Sequence, residues 1–510
     1  MYNKNHYKEI YSKIKKIYLS NYFPFFIILI GIIIRLRQYF VNRSLWLDEA
    51  SLALNIIEKN YIELLQTLNY GQAAPPVFLL ITKFLVNLFG PSEYILRFLP
   101  LISGLLSLYI FYKISREFLN RKVISLALIL FSFTEYNIYY SVEFKQYSLD
   151  LLFGLIILFY GIKLYKSHFR NKYIIANIFV GILSIWSSHT SVFLLAGVGS
   201  ALLVEIYYSN YFTREFKIRK IKLLIFTYII WIFNFSLHYF LIIRNTTTEH
   251  LYDYWSEYFI PFPPLSFYDL GKYLSIILGF IKNPLGISYV IGLIIFFTLI
   301  GEYFFWYRKD RIYFFMINFT ILILIITSMF NIYPFASRLV LFIIPLFYIL
   351  ITEGIYNFYC LFTKNNKKFI AILLIIITLL YPIAMGGNKL AQPILKEEIK
   401  PVINYYLSNS TGKDNLYIYY GAIRAFRFYT YDKNITYIIG ADMNDLGNRK
   451  NPGLYLEELD KLKGRDKMWF IFSHVYQNEK DLFLIYLDKI GDELDSFKTH
   501  GASIYLYDLQ

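Results

Sequence analysis

The pair Asp48-Glu49 lies in NRSLWLDEASLALNIIE, residues 42–58, directly after the apolar run FPFFIILIGIII. Two adjacent carboxylates just beyond such a run are costly near a bilayer and call for a reason. One reason is local: Asp48 caps a helix over Glu49–Glu58, where acids in the first turn suit the helix dipole. That accounts for one acid without requiring two. The chemical alternative is a half-desolvated carboxylate acting as general base toward a hydroxyl from the aqueous side. A second stretch, YYSVEFKQYS, sets Glu143 and Lys145 one residue apart, among Tyr139, Tyr140 and Tyr147. It reads as an interfacial aromatic belt with its own ion pair. It reads equally as a cation for a phosphate, with an acid beside it and tyrosines to stack on a sugar. Arg97 in EYILRFLP, His189 in WSSHTSVF and Arg338 in YPFASRLVLFIIP add further polar groups. Each alone is also what a snorkelling interfacial residue looks like. Together they make a pocket of mixed sign that suits a lipid-linked phosphate.

The elements that would position these residues are transmembrane. The 510 residues are 57% hydrophobic and 17% charged, against about 45–50% and 25% in soluble domains. Apolar runs near 23–41, 95–112, 123–140, 147–165, 173–188, 190–208, 222–243, 285–306, 312–330, 337–360 and 369–386 give about eleven spanning helices. The basic segments 113–122, 163–172, 211–222, 307–311 and 363–368 then share one side with the N-terminus, which the positive-inside rule makes cytoplasmic. PPVFLLITKFLVNLFG (75–90) is too short to span, and counting it would invert every later loop. It is expected to lie at the external interface, within a long external loop over 42–94.

The net charge of +15 therefore orients the chain, and nucleic-acid binding is set aside. The single cysteine, Cys360, excludes an intrachain disulfide and a Cys-based metal site. From about residue 390, strand-like runs (NLYIYY, ITYIIG, KMWFIF, ASIYLYDL) alternate with helical patterns. They predict a small soluble α/β domain with a partly parallel sheet. The expected fold class is thus a polytopic α-helical membrane domain over 1–388 followed by an external α/β domain over 389–510. No Gly-rich phosphate loop follows these strands, and nothing in that domain reads as catalytic.

The set LWLDEA, APPVFLLITKFLVNLFGPSEYILRFLP, YYSVEFKQYSLDLL and YPFASRLVLFIIP resembles the GT-C membrane glycosyltransferases. Within them it is most similar to the protein O-mannosyltransferase and aminoarabinose-transferase-like group, over most of residues 20–390. The resemblance implies a polyprenyl-phosphate-linked sugar as donor and a glycolipid, glycan or protein as acceptor. It also implies a multi-pass plasma (inner) membrane enzyme whose active site and C-terminal domain are extracytoplasmic. It places the catalytic carboxylate at Asp48, with Glu49 beside it, and the second-loop signature at Glu143 and Lys145. With Tyr147, Arg338, Arg97 and His189 these form the expected donor phosphate- and sugar-binding set. Transfer would be an inverting single displacement with Asp48 as base and fixed cations on the leaving phosphate. No cofactor is certain on this reading. A divalent metal, if one takes part, would draw on Glu49, Glu143 and His189. Relatives often carry Lys or His directly before the Pro-Pro pair. Ala73 and Ala74 stand there in this chain, which leaves more of the phosphate to Lys145 and Arg338. Two other readings stay open: a lipid-linked glycan flippase, which needs a polar path through the bilayer midplane, and a non-catalytic membrane scaffold.

Overall fold

The computed structural model describes residues 20–210, 212–246, 253–308, 310–364, 367–411, 414–440 and 453–510. Helix α1 (Phe23–Phe40) leads into a loop built on α2 (Leu47–Glu58) and α3 (Pro76–Phe89). Pro76 starts α3, where its missing N–H costs nothing. Gly90 ends it at φ 84°, a conformation glycine adopts without steric cost. Helix α4 (Glu93–Phe118) is capped by Ser92, whose side chain accepts from the Ile95 N–H.

The expected span over 123–140 is broken into α5 (Ile124–Phe133) and α6 (Glu135–Tyr140). At the break, the Thr134 hydroxyl donates to the Leu130 carbonyl and accepts from the Tyr348 hydroxyl at 2.9 Å. Such side-chain bonds offer the backbone an alternative to the helical ladder. The bundle continues with α7 (Tyr147–Lys166), α8 (Asn171–Ser187), α9 (Ser191–Tyr208) and α10 (Arg214–His238). After α11 (Phe267–Lys282) come α12 (Ile291–Tyr307) and α13 (Ile312–Met329). A 3-10 helix over Ser337–Ile343, kinked at Val340, then runs into α14 (Ile344–Lys364), and α15 (Lys368–Ala391) closes the bundle. Among the described residues nine helices are long and apolar enough to cross a membrane. Of the eleven expected, α5 with 10 residues and α8 with 17 fall short of that length.

Helices α12 and α14 approach backbone to backbone. A Cβ on Gly301 would lie 2.1 Å from the Leu350 carbonyl oxygen, and one on Gly354 1.9 Å from that of Phe297. Small residues permit such contact where packing, not water, drives association. Gly354→Ala should therefore separate the two helices and destabilise the bundle by about 1–3 kcal/mol, read as a lowered melting temperature in detergent. An unchanged melting temperature would mean the contact carries no weight.

The C-terminal region opens with α16 (Ile399–Asn409). It continues through β1 (Asn415–Ile418), α17 (Ile423–Tyr429), β2 (Ile438–Ile439) and α18 (Gly453–Asp460). It ends with β3 (Met468–Ser473), α19 (Glu479–Ile490), β4 (Asp492–Thr499) and β5 (Ala502–Asp508). The sheet order is β2-β1-β3-β5-β4. β1 is parallel to β2 and β3, whereas β5 is antiparallel to β3 and β4. Strand β4, DELDSFKT, has no apolar signature. It is an edge strand, and its charges are what such an edge tolerates. Side chains alternate across the sheet. Tyr417, Phe470 and Tyr505 face Phe483 and Leu487. Leu416, Ile418, Trp469 and Ile504 join one core with Leu45, Leu54, Phe78 and Phe144 of the membrane part. The α/β domain thus sits directly on the first loop.

Candidate active site

Helix α2 starts two residues earlier than its sequence suggests, after an extended Trp46 that makes no side-chain cap. Asp48 is therefore inside the first turn and does not cap it. The Leu47 N–H donates instead to Glu397 Oε2 at 3.3 Å. Consecutive helical residues point about 100° apart, so the two carboxylates have different surroundings.

Glu49 turns inward and is fully buried. Arg43 donates to it at 2.8 and 3.3 Å, Arg97 at 2.9 and 2.7 Å, and the Phe144 N–H at 2.7 Å. Burial alone would raise its pKa, but the two guanidinium charges and these hydrogen bonds hold it well below the usual carboxylate range. Arg97 also donates to the carbonyls of Arg43 and Ser44, at 2.6 and 3.1 Å. Both residues are thus spent on each other and on the first loop. This corrects the expectation that Glu49 shares the chemistry and that Arg97 binds the donor phosphate.

Asp48 turns the other way and keeps about 21% of its side chain exposed, with Arg338 Nη2 at 2.8 Å. Burial raises its pKa, but the charges of Lys145, Arg338, Lys396 and His474 outweigh burial and lower it. The carboxylate is accordingly ionised at neutral pH. The Arg338 guanidinium lies 5.7 Å from the Trp46 ring, 5.6 Å from Tyr147 and 5.8 Å from Trp255. Lys396 Nζ sits 3.3 Å over the Trp46 ring centroid and 3.8 Å from Glu143 Oε1. Glu143 is buried and accepts from Trp46 Nε1 at 2.9 Å and the Tyr139 hydroxyl at 3.0 Å. Lys145 is buried as well and donates to the Gln72 side-chain oxygen. Burial lowers the pKa of Lys145 and of Lys396.

His189 lies in the turn between α8 and α9. Its ring stacks on His238, with centroids 5.2 Å apart. Burial, then the charge of His238, pushes its pKa down to about 3. The imidazole is thus neutral and brings no positive charge to a phosphate, against its expected role. Gln146 holds the Ala73-Ala74 segment through the Ala73 carbonyl at 3.3 Å.

The three residues offered to a divalent metal do not form a ligand set. Glu49 is filled by two arginines, Glu143 carries Lys396, and His189 faces His238. Among the described residues no cluster of three His, Cys, Asp or Glu side chains has metal-binding geometry.

Several participants were not legible in the sequence. Lys396 and Glu397 come from the connector after α15, and His474 follows β3. His474 Nδ1 lies 2.7 Å from Glu397 Oε1. The connector is fastened to the first loop. Gln38 both accepts from and donates to the Ile394 backbone at 2.8 Å. Ser44 donates through its backbone N–H and its hydroxyl to Glu398 at 3.1 and 3.0 Å. The domain read as chemically silent therefore lends charged side chains to the site. The dense charges of ILKEEIK (394–400) were the available signal.

Residues 73–239 match the family model described as dolichyl-phosphate-mannose-protein mannosyltransferase. This segment includes Arg97, Glu143, Lys145, Tyr147 and His189, and it ends before Arg338. The fold is similar to that of ArnT from Cupriavidus metallidurans bound to undecaprenyl phosphate. The TM-score is 0.52 at 13% identity, over 94% of this chain and 97% of that one. It is also similar to the Archaeoglobus fulgidus oligosaccharyltransferase in complex with Zn and sulfate, at TM-score 0.52 and 10% identity, over 95% of this chain and 73% of that one. No curated protein sequence matches the chain. The chain has the GT-C fold, a helical membrane bundle with a small C-terminal sheet domain.

Proposed function

We propose that the protein is an integral-membrane glycosyltransferase that moves a sugar from a polyprenyl-phosphate donor to an acceptor hydroxyl, on the membrane face opposite the basic loops. The observation that carries this reading is the Asp48–Arg338 pair, with Lys145 and Lys396 beside it and Trp46, Tyr147 and Trp255 around it. The ArnT of similar fold is bound to undecaprenyl phosphate. The matching family model is named for a dolichyl-phosphate-linked sugar.

The phosphate would sit on Arg338, Lys145 and Lys396, with its lipid tail in the bilayer. As the anomeric C–O bond breaks, the electron pair leaves with the phosphate oxygen. Fixed cations in a water-poor site stabilise that charge strongly. Asp48 orients the acceptor hydroxyl on the opposite face of the sugar and takes its proton as the new C–O bond forms, inverting the anomeric centre. Glu49, Arg43 and Arg97 hold the turn that carries Asp48. Glu143 anchors Lys396 and Trp46. The deciding experiment is mass spectrometry of surface glycans, glycoproteins and lipid-linked sugars from cells with and without the gene. Loss of one sugar together with accumulation of its lipid-linked form is expected. Unchanged glycans and donors would overturn the reading.

A further inference from the structure

His474 is the one group of the cluster around Asp48 that the transfer chemistry above does not use. It comes from the C-terminal domain, just after β3, and adopts φ 50°. That left-handed backbone is uncommon for a non-glycine residue and persists where the surroundings hold it. Glu397 is what holds the side chain. Its Oε1 takes the His474 Nδ1–H at 2.7 Å, and its Oε2 takes the Leu47 N–H at 3.3 Å. One carboxylate thus ties the imidazole to the first turn of the helix that carries Asp48. A carboxylate can only accept from Nδ1, so in the neutral ring the tautomer is set and Nε2 is the acceptor. Among the described residues Nε2 has no hydrogen-bond partner, and about 39% of the side chain is exposed. The ring lies 6.1 Å from that of Trp46, tilted by 39°.

The arrangement divides the site in two. Arg338 and Lys145 come from the membrane part, where a lipid-linked donor arrives. His474 comes from the domain beyond it, where a water-soluble acceptor arrives. We infer that His474, oriented by Glu397, is the acceptor-binding residue: its Nε2 accepts a hydrogen bond from a second hydroxyl beside the one that reacts at Asp48. An unpaired acceptor atom next to an aromatic plane is the chemistry that recognises a polyol, so the substrate class is a carbohydrate acceptor. This rests on the transferase reading given above.

The test uses membranes from cells producing the full chain, with lipid-linked sugars labelled in the cell from radiolabelled glucose. Label transferred to glycan and label released to water as free sugar are both measured. Asparagine tolerates the left-handed backbone, so His474→Asn preserves the fold. It should raise the ratio of free to transferred sugar about tenfold, as expected for one lost hydrogen bond to the acceptor, with chain-dependent release of sugar retained. Glu397→Gln should shift the ratio in the same direction by less, because it frees the ring without removing it. An unchanged ratio would overturn the inference, whether both products stay at their original level or fall in parallel as for a merely structural residue. If the unaltered chain neither transfers nor releases sugar beyond membranes lacking it, the transferase reading fails as well. Transfer by the unaltered chain with an unmoved ratio in His474→Asn sinks the acceptor role alone.

Discussion

Asp48→Asn should cut sugar transfer by roughly 10²–10⁴-fold, the usual weight of a positioned general base, in a protein that still folds and inserts. The substitution keeps the shape of the side chain and its hydrogen bond from Arg338. It removes the charge that draws the proton from the acceptor. The site becomes one unit more positive, so affinity for undecaprenyl phosphate should hold or rise. Quenching of tryptophan fluorescence on titration with undecaprenyl phosphate reads this directly, because Trp46 and Trp255 both lie within 6 Å of the Arg338 guanidinium. Retained transfer would remove Asp48 from the chemistry and favour a scaffold. Loss of transfer together with loss of lipid binding would make the pair with Arg338 structural.

Glu49→Gln, one position along, should do something different. It should unfold the first loop, at a cost of about 3–5 kcal/mol, the scale for breaking a buried ion pair from one side. Arg43 and Arg97 are 1% and 2% exposed and meet on the Glu49 carboxylate. Without its charge, two guanidinium groups remain buried with no countercharge between them. The expected readouts are low yield in membranes and a lowered melting temperature in detergent, with the residual folded fraction still binding undecaprenyl phosphate. A stable Glu49→Gln protein lacking transfer would return Glu49 to the chemistry.

The contrast between these neighbours explains what the sequence could and could not reveal. Adjacent acids in LWLDEAS look alike as text. Their roles part only because a helix turns about 100° per residue, aiming one at Arg43 and Arg97 in the core and the other at Arg338. The bundle, the surface helices of the first loop and the partly parallel sheet were legible, because apolar runs and alternation are local signals. The break at Thr134 was not, since it depends on Tyr348, 214 positions away. Arg338 could be named from its place before an apolar run, but not its partner Asp48, 290 positions earlier. Arg97 looked like a phosphate ligand because nothing in EYILRFLP announces that its fork is filled by Glu49. Lys396 and His474 were missed for the opposite reason. They belong to a soluble-looking region, and only the shared core of that region with Leu45, Leu54 and Phe78 brings them to the membrane.

That shared core has a consequence for how the protein is made. Ser44 and Glu398 meet although 354 positions separate them, and Lys396, Glu397 and His474 leave the ribosome long after Asp48. A chain inserted through its last apolar helix, which ends at Ala391, thus still lacks His474.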